Sequence, residues 1–239
     1  MKDQAGRKRI VLELGGNAGV IVSPSANIEM AVNKCVSGAF AYAGQVCIHT
    51  QRIYVHQSIF KTFAERFVEN SSKLRKGQPL NLNTDISSMI DEKNAIRVEE
   101  WVNEAVNAGA KVLLGGKREG SFFPPTVLTN TTNSMKVCAQ EVFGPVVTLE
   151  PYSDFHEAVN LINQSEFGLQ AGVFTNLIDE MNLAFNELRV GGVIINDVPT
   201  FRVDHMPYGG IKNSGFGREG LKYAMLEMLE PRLLVKNIL

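Results

Sequence analysis

The chain has 239 residues, of which 44% are hydrophobic and 21% are charged, an ordinary composition for a globular protein with a sizeable core. Its 24 Lys and Arg residues nearly balance 25 Asp and Glu residues, so no strong field would attract a nucleic acid or an anionic membrane surface. No apolar run approaches the roughly 20 residues that span a bilayer, and the polar start MKDQAGRKR lacks the apolar core of a signal peptide. These features predict a cytoplasmic protein that binds neither nucleic acid nor membrane.

The three cysteines are Cys35, Cys47 and Cys138. Their number is odd and their spacing is not that of a zinc site, so we expect neither a disulfide framework nor a bound metal. At least one thiol should therefore be free. A free cysteine is most often a small packing residue, and a functional one needs support from its surroundings.

Strand and helix patterns alternate along most of the chain. Short apolar runs predict strands over residues 10–14, 19–22, 51–56, 111–114, 146–150, 171–174 and 192–195, and two prolines impose an extended path on 122–128. Apolar residues at helical spacing predict helices within 24–44, 59–68, 91–108, 155–164, 177–188 and 219–229. This alternation predicts an α/β fold with a mostly parallel sheet flanked by helices. A last apolar run, 233–239, predicts a terminal strand that needs a partner for its edge.

The helix predicted within 24–44 leads to a thiol. Cys35 lies on its apolar face, where a cysteine is normally a packing residue, whereas Cys47 lies beyond the helix in the sequence GQVC. Glu13 is placed similarly, beside the glycines of LELGG at the end of a predicted strand. Glycines let backbone amides approach a ligand or an oxyanion, so the pair suggests a Cys47 nucleophile with a Glu13 base. The alternative is an inert cysteine and a solvated glutamate.

Two further motifs contain candidate binding residues. EVFGP places Glu141 and Phe143 two residues apart, on the same side of the chain if it is extended, where they could grip a sugar diol beside an aromatic wall. On the residues alone, a core Phe143 and a solvated Glu141 are favoured. The stretch GFGREG, residues 215–220, matches the dinucleotide pattern G-x-G-x-x-G, but a loop rich in Pro and Gly precedes it instead of a strand. We therefore expect a loop that shapes a pocket.

Taken in order, LELGGN, GQVCIHTQR, EVFGPV and MPYGGIKNSGFGREG resemble the NAD(P)-dependent aldehyde dehydrogenase superfamily. The resemblance covers the C-terminal, catalytic half of such an enzyme, and the N-terminal cofactor-binding half is expected to be missing. It implies a remnant of the cofactor domain with the general base in residues 1–14 and a catalytic domain in 15–194. Residues 195–239 would pack on the missing half and supply the strand of a homo-oligomer, a dimer or a tetramer.

The same resemblance implies a role for each matched residue. Cys47 would add to the carbon of an aldehyde substrate and form a thiohemiacetal, which passes hydride to NAD or NADP and becomes a thioester. Glu13 would activate the water that releases the acid, and the Cys47 backbone N–H would supply half of the oxyanion hole. The ribose and nicotinamide of the cofactor would be contacted by Glu141, Phe143, Leu14 and Gly15.

The stretch TFRVDH resembles the branch of the superfamily that acts on lactaldehyde, semialdehydes and phosphono- or sulfo-aldehydes. Arg202 and His205 could hold an anionic tail, although a surface arginine and a structural histidine are equally consistent with the residues. With half of the enzyme missing, we expect the chain to fold but to be catalytically impaired. Two other functions remain open: a cofactor-independent esterase or thioesterase that uses Cys47 and Glu13, and a non-catalytic oligomerisation module.

Overall fold

A seven-stranded sheet forms the centre of the computed structural model, which describes residues 2–238. Its strand order is β4-β5-β6-β3-β2-β8-β9, and all neighbours are parallel except β4 and β5. This arrangement confirms the predicted α/β class. The strands in chain order are β1 Leu12–Glu13, β2 Ala18–Val22, β3 Thr50–His56, β4 Lys111–Leu114, β5 Thr126–Thr129, β6 Val146–Tyr152, β7 Phe167–Gly168, β8 Gln170–Phe174, β9 Gly192–Ile195, β10 Ile211–Lys212 and β11 Gly215–Phe216.

Helices connect most of the strands, and several begin at a capping side chain. The side chains of Asn27, Asp91 and Asp154 each accept a hydrogen bond from a backbone N–H in the first turn of the helix that follows. Within residues 2–238 no helix is both long enough and apolar enough to cross a membrane. The helices are α1 Ile28–Phe40, α2 Gln57–Ser72, α3 Glu92–Asn107, α4 Lys136–Ala139, α5 Phe155–Asn163, α6 Ile178–Glu187 and α7 Leu221–Glu227.

The core lies on both faces of the sheet because successive strand residues point to opposite sides. In β2, Val20 and Val22 pack with α1 and α2 on one face, while Ile21 packs with α5 and α6 on the other. Phe63 and Phe67 of α2 are fully buried, with ring centroids 5.9 Å apart. A parallel sheet covered in this way needs apolar residues at almost every strand position, which explains the continuous apolar runs of the sequence.

Two short antiparallel pairs attach the glycine-rich C-terminal region to the rest of the fold. Strand β1 pairs with β11, and β7 pairs with β10. The strand predicted over 10–14 is therefore shorter than expected, because only Leu12–Glu13 finds a partner. The GFGREG stretch begins with β11 and ends at Gly220, the residue before helix α7.

The chain end carries no strand among residues 2–238. Residues 229–238 have no regular secondary structure, and their apolar side chains at 233, 234, 235 and 238 are exposed. A strand requires a neighbouring strand, and no strand among residues 2–238 pairs with this segment, although Arg9 forms an ion pair with Glu230. The strand over 233–239, which needs a partner outside this chain, therefore stays a prediction; its last residue lies outside the described residues. Its role in an oligomer, and the domain boundaries after residues 14 and 194, stay predictions.

One buried residue of the fold is a histidine. His49, in the turn before β3, is 3% exposed, and its ring nitrogens make no well-formed hydrogen bond among the described residues. Burial lowers the pKa of His49 to about 4, and the Ala39 backbone offsets only part of this effect. Between about pH 4 and pH 6.5 the folded protein therefore keeps this imidazole neutral, whereas the unfolded chain would protonate it.

We expect Phe67→Ala to destabilise the fold by about 3–5 kcal/mol, because it leaves a cavity under α1 and α2. The matched control is Phe185→Ala on α6, whose side chain is 75% exposed and should change stability by less than about 0.5 kcal/mol. Urea denaturation followed by far-ultraviolet circular dichroism measures both. Equal losses for the two variants would contradict the assignment of the core.

The His49 environment predicts a pH dependence of stability. Between pH 6.5, the ordinary pKa of histidine, and pH 4, its folded value, the unfolded state binds the extra proton. Stability should therefore fall as the pH is lowered through this window, by up to about 3 kcal/mol from this residue. His49→Gln should lower the slope of stability against pH by the equivalent of one bound proton. Urea midpoints across this pH range test the idea, and an unchanged slope in His49→Gln would refute it.

Candidate active site

The predicted site residues meet at the amino-terminal edge of the parallel strands. Glu13 to Gly16 lead into β2, Cys47 lies just before β3, and Glu141 precedes β6. Strands β2, β3 and β6 are consecutive neighbours in the sheet, so their approach segments converge. The edge is opposite to the carboxyl-terminal edge that doubly wound nucleotide-binding sheets use.

The turn before Cys47 has an unusual backbone. Helix α1 ends at Phe40, within the predicted range 24–44, and Tyr42, Ala43 and Gly44 all have positive φ, of 54°, 54° and 67°. Left-handed geometry costs energy for the two residues that carry a Cβ. A Cβ on Gly44 would overlap the carbonyl oxygen of Gly144, so the turn is pressed against the segment that carries Glu141.

Two consecutive glycines hold Glu141 and Cys47 together. The Gly16 N–H donates to Glu141 Oε1 at 2.8 Å. A Cβ on Gly16 would collide with the Cys47 carbonyl oxygen, and a Cβ on Gly15 would lie 2.6 Å from Glu141 Oε2. The LELGG motif therefore needs its glycines for close approach of the backbone, as the sequence suggested.

Tyr208, in MPYGG, joins Cys47 to Glu13. Its hydroxyl oxygen lies 3.3 Å from Cys47 Sγ and 3.4 Å from Glu13 Oε1. The hydroxyl donates to the carboxylate, which can only accept when ionised, and the thiol can donate to the hydroxyl oxygen. Sequence reasoning missed this residue; the aromatic side chain inside the MPYGG stretch was the signal that could have identified it.

The electrostatics of the site favour a protonated thiol. Burial raises the pKa of Cys47 to about 11, the Tyr208 hydroxyl lowers it, and the nearby Glu13 and Glu141 carboxylates raise it further. Burial and the Glu13 charge also raise the pKa of Glu141, against the effect of the Gly16 N–H. A thiolate is the nucleophilic form, so reaction at Cys47 requires a group that removes its proton.

Buried amides fix the loop that carries Glu141. The Gln51 amide nitrogen donates to the carbonyl oxygens of Val137 and Gln140 at 2.9 and 2.8 Å, and its oxygen accepts from the Val142 N–H at 3.0 Å. The Asn17 amide donates to the Cys138 carbonyl oxygen at 2.6 Å. Gln51 is 1% exposed and Asn17 is 4% exposed, so these contacts fix the loop rigidly against the sheet.

The extended geometry assumed for Glu141 and Phe143 is wrong. Residues 141–143 form no strand, and Phe143 has a φ of 46°, because the loop is bound to Gln51 and pressed against Gly44. Glu141 is half-buried and not solvated, and Phe143 is 40% exposed and not in the core. Phe143 borders a groove of about 610 Å³ that is also lined by Tyr42 and Ile90.

Arg202 lies beside the tyrosine, whereas His205 does not reach the site. The Arg202 guanidinium stacks 4.2 Å from the centroid of the Tyr208 ring and pairs with Glu219 Oε2 at 3.1 Å. His205 is exposed on the following turn. Arg202 also borders a groove of about 490 Å³ together with Arg218. Among residues 2–238 no group of three or more acidic, His or Cys side chains could hold a metal ion.

Comparisons with known proteins identify the family of this chain. The family model described as "Aldehyde dehydrogenase family" matches residues 1–234. The chain is 50% identical over 238 residues to the 3-sulfolactaldehyde dehydrogenase of Priestia megaterium, covering 100% of this chain and 50% of that protein. It spans about half the length of the curated relatives it matches.

Two solved structures are similar over nearly the whole chain. Aldehyde dehydrogenase 21 from Physcomitrella patens, in complex with the product succinate, is 46% identical with a TM-score of 0.94, over 96% of this chain and 48% of that one. Glyceraldehyde-3-phosphate dehydrogenase from Methanocaldococcus jannaschii, complexed with NADP, is 43% identical with a TM-score of 0.92, over 95% and 49%. The resemblance inferred from the four motifs is confirmed: the chain belongs to the aldehyde dehydrogenase family.

Proposed function

We propose that this chain supplies the catalytic thiol of an NAD(P)-dependent enzyme that oxidises an aldehyde to a carboxylic acid. The contact of Cys47 Sγ with Tyr208, whose hydroxyl also reaches the Glu13 carboxylate, is the observation that carries the proposal. It joins a nucleophile to a base in one half-buried site. Without a base, a thiol with a pKa of about 11 would be almost entirely protonated at neutral pH.

The first step is the addition of Cys47 Sγ to the carbonyl carbon, while the thiol proton leaves toward Glu13. The oxygen of the adduct develops negative charge next to the Cys47 backbone N–H, which would supply one donor of an oxyanion hole. A nicotinamide held beside Cys47 would supply the hydride acceptor that converts the adduct into a thioester on Cys47. Once Glu13 has released its first proton to solvent, it takes a proton from the water that attacks the thioester and returns it to the departing Cys47 sulfur, so that the acid and the free thiol are released.

The residues next to Cys47 fit a nicotinamide ribose. The Gly16 N–H donates a hydrogen bond to Glu141 Oε1. The carboxylate could accept further hydrogen bonds from the hydroxyls of a ribose. Leu14 and Phe143, 45% and 40% exposed, offer apolar surface to a ring. Gly15 leaves room beside the carboxylate that a side chain would fill. The relatives include a complex with NADP and one with NAD⁺, and the choice for this chain stays open.

For the substrate, we propose a short aldehyde with an anionic tail. Three similar proteins are associated, by name or by bound product, with a sulfonate, a carboxylate and a phosphate: 3-sulfolactaldehyde, succinate and glyceraldehyde-3-phosphate. In this chain Arg202 provides a cation beside Tyr208, and it could exchange its Glu219 partner for the tail of the substrate. His205, which is exposed, would contribute only if its turn moved inward.

Covalent capture of an aldehyde tests the reaction directly on this chain. Incubation with succinic semialdehyde should slow the alkylation of Cys47 by iodoacetamide, because the thiohemiacetal has no free thiol. Mass spectrometry of the three cysteine peptides gives the rate, with buried Cys35 and Cys138 as internal controls. Succinate, which has no aldehyde, should protect much less. Equal protection by succinate, or none by the aldehyde, would contradict the proposal.

Arg202→Ala tests the preference for an anionic tail. The variant should weaken protection by succinic semialdehyde about fivefold, about 1 kcal/mol, and should leave protection by butanal unchanged. Arg218→Ala, which removes another arginine from the rim of the same groove, serves as the matched control. If Arg202→Ala weakened protection by both aldehydes equally, the arginine would have a structural role and no role in recognising the tail.

A further inference from the structure

We propose that the Tyr208 hydroxyl relays the thiol proton of Cys47 to the Glu13 carboxylate. The inference rests on the proposed role of Cys47 as the nucleophile and adds a third reacting group to the site. In the relay the S–H bond breaks as the proton passes to the tyrosine oxygen, and the tyrosine's own proton passes to Glu13 Oε1. The products are a thiolate, a neutral carboxylic acid and an unchanged tyrosine, and no electrons leave the site.

The position of the hydroxyl supports this path. It lies 3.3 Å from Cys47 Sγ and 3.4 Å from Glu13 Oε1, so it is within reach of both groups. A hydroxyl carries one proton and can accept others, so it can donate to the carboxylate while it accepts from the thiol. The second distance is long for a hydrogen bond between oxygens, and closure by a few tenths of an ångström would bring it into the ordinary range.

The surroundings hold the tyrosine in place. Tyr208 is 2% exposed, and its ring packs in a small cluster with Ile48 and Leu169. Its backbone exchanges two hydrogen bonds with Glu219, of 3.1 and 2.6 Å, and Arg202 covers the ring at 4.2 Å. The hydroxyl therefore has little freedom to turn away from the thiol. A phenylalanine at this position would fill the same space without providing a path for the proton.

Direct transfer from Cys47 to Glu13 is the competing route. Glu13 lies near enough to raise the pKa of Cys47, so proximity alone does not select the relay. The two routes predict different effects of Glu13 on the reactivity of Cys47. In a relayed transfer Glu13 affects this reactivity only when the tyrosine hydroxyl is present, whereas in direct transfer it does so with or without the hydroxyl. A double-mutant cycle measures this dependence, and it requires neither cofactor nor aldehyde.

The experiment is the pH dependence of Cys47 alkylation by iodoacetamide in the 239-residue chain, for wild type, Tyr208→Phe, Glu13→Gln and the double variant. At neutral pH Tyr208→Phe should react roughly tenfold more slowly, as expected for the loss of one hydrogen bond to a charged group. Glu13→Gln also removes a charge that raises the pKa of Cys47, so its rate is compared with that of Glu141→Gln, which removes the other such charge. Relative to Glu141→Gln, Glu13→Gln should react roughly tenfold more slowly when the tyrosine hydroxyl is present, and equally fast in the Tyr208→Phe background.

The matched control is Tyr152→Phe, which removes another buried tyrosine hydroxyl at the opposite end of the sheet, where it donates to the Val22 carbonyl oxygen. It should leave the Cys47 profile unchanged. Circular dichroism confirms folding of each variant. If Tyr208→Phe does not fold, 3-fluorotyrosine at position 208 keeps the shape and makes the phenol more acidic, which should shift the profile to lower pH.

The relay is overturned if Glu13→Gln slows alkylation, relative to Glu141→Gln, by the same factor with and without the tyrosine hydroxyl, which is the result for direct transfer. It is also overturned if Tyr208→Phe reacts like wild type, or if the fluorinated protein does. These outcomes are independent of the aldehyde experiment. If the double-mutant cycle shows that the effects of Tyr208 and Glu13 depend on each other, but aldehydes do not protect Cys47 from iodoacetamide, the relay is supported and the proposed substrate is rejected.

Discussion

The candidate site depends on backbone segments that approach too closely for a side chain to fit between them. Gly16 lies against the carbonyl group of Cys47, and Gly44 lies against that of Gly144. These two contacts join the three segments that lead into neighbouring strands β2, β3 and β6. The Gly16 N–H is then directed at Glu141, so the contact that brings the segments together also orients one of the carboxylates. A larger residue at either glycine would separate the thiol from the groups around it.

This close packing has a cost that the rest of the fold offsets. Tyr42, Ala43 and Gly44, which precede Cys47, and Phe143 all have a left-handed backbone. Residues that carry a Cβ, as three of these four do, rarely adopt this conformation. Buried hydrogen bonds from Gln51 hold the Phe143 loop in its unfavourable geometry. The parallel sheet beneath, covered by helices on both faces, supplies the rigid base for these contacts. Strain near a reactive group is maintained only where such surroundings determine the geometry completely.

Sequence reasoning located the elements well because their patterns are local. Helix α3 begins next to its capping residue Asp91 and ends before Gly109, and strands β4 and β9 match their predicted bounds. Helix α1 occupies Ile28–Phe40, inside its predicted range. Sequence reasoning failed where a distant partner decides the geometry: residues 141–143 are not extended because their loop is bound to Gln51. Such a partner leaves no periodic signal in the sequence.

By itself, the sequence determined the α/β class, the family, and the pairing of a thiol with an acid, since alternating periodicities and glycines flanking Cys47 and Glu13 can be recognised without coordinates. Only the tertiary structure decided that the Tyr208 hydroxyl contacts both of these groups, that Arg202 covers its ring and that Glu141 is half-buried against Gly16. The physical reason is separation along the chain. Groups that lie together here are brought into contact by strand order and by close backbone packing, and neither is encoded in the residues next to them.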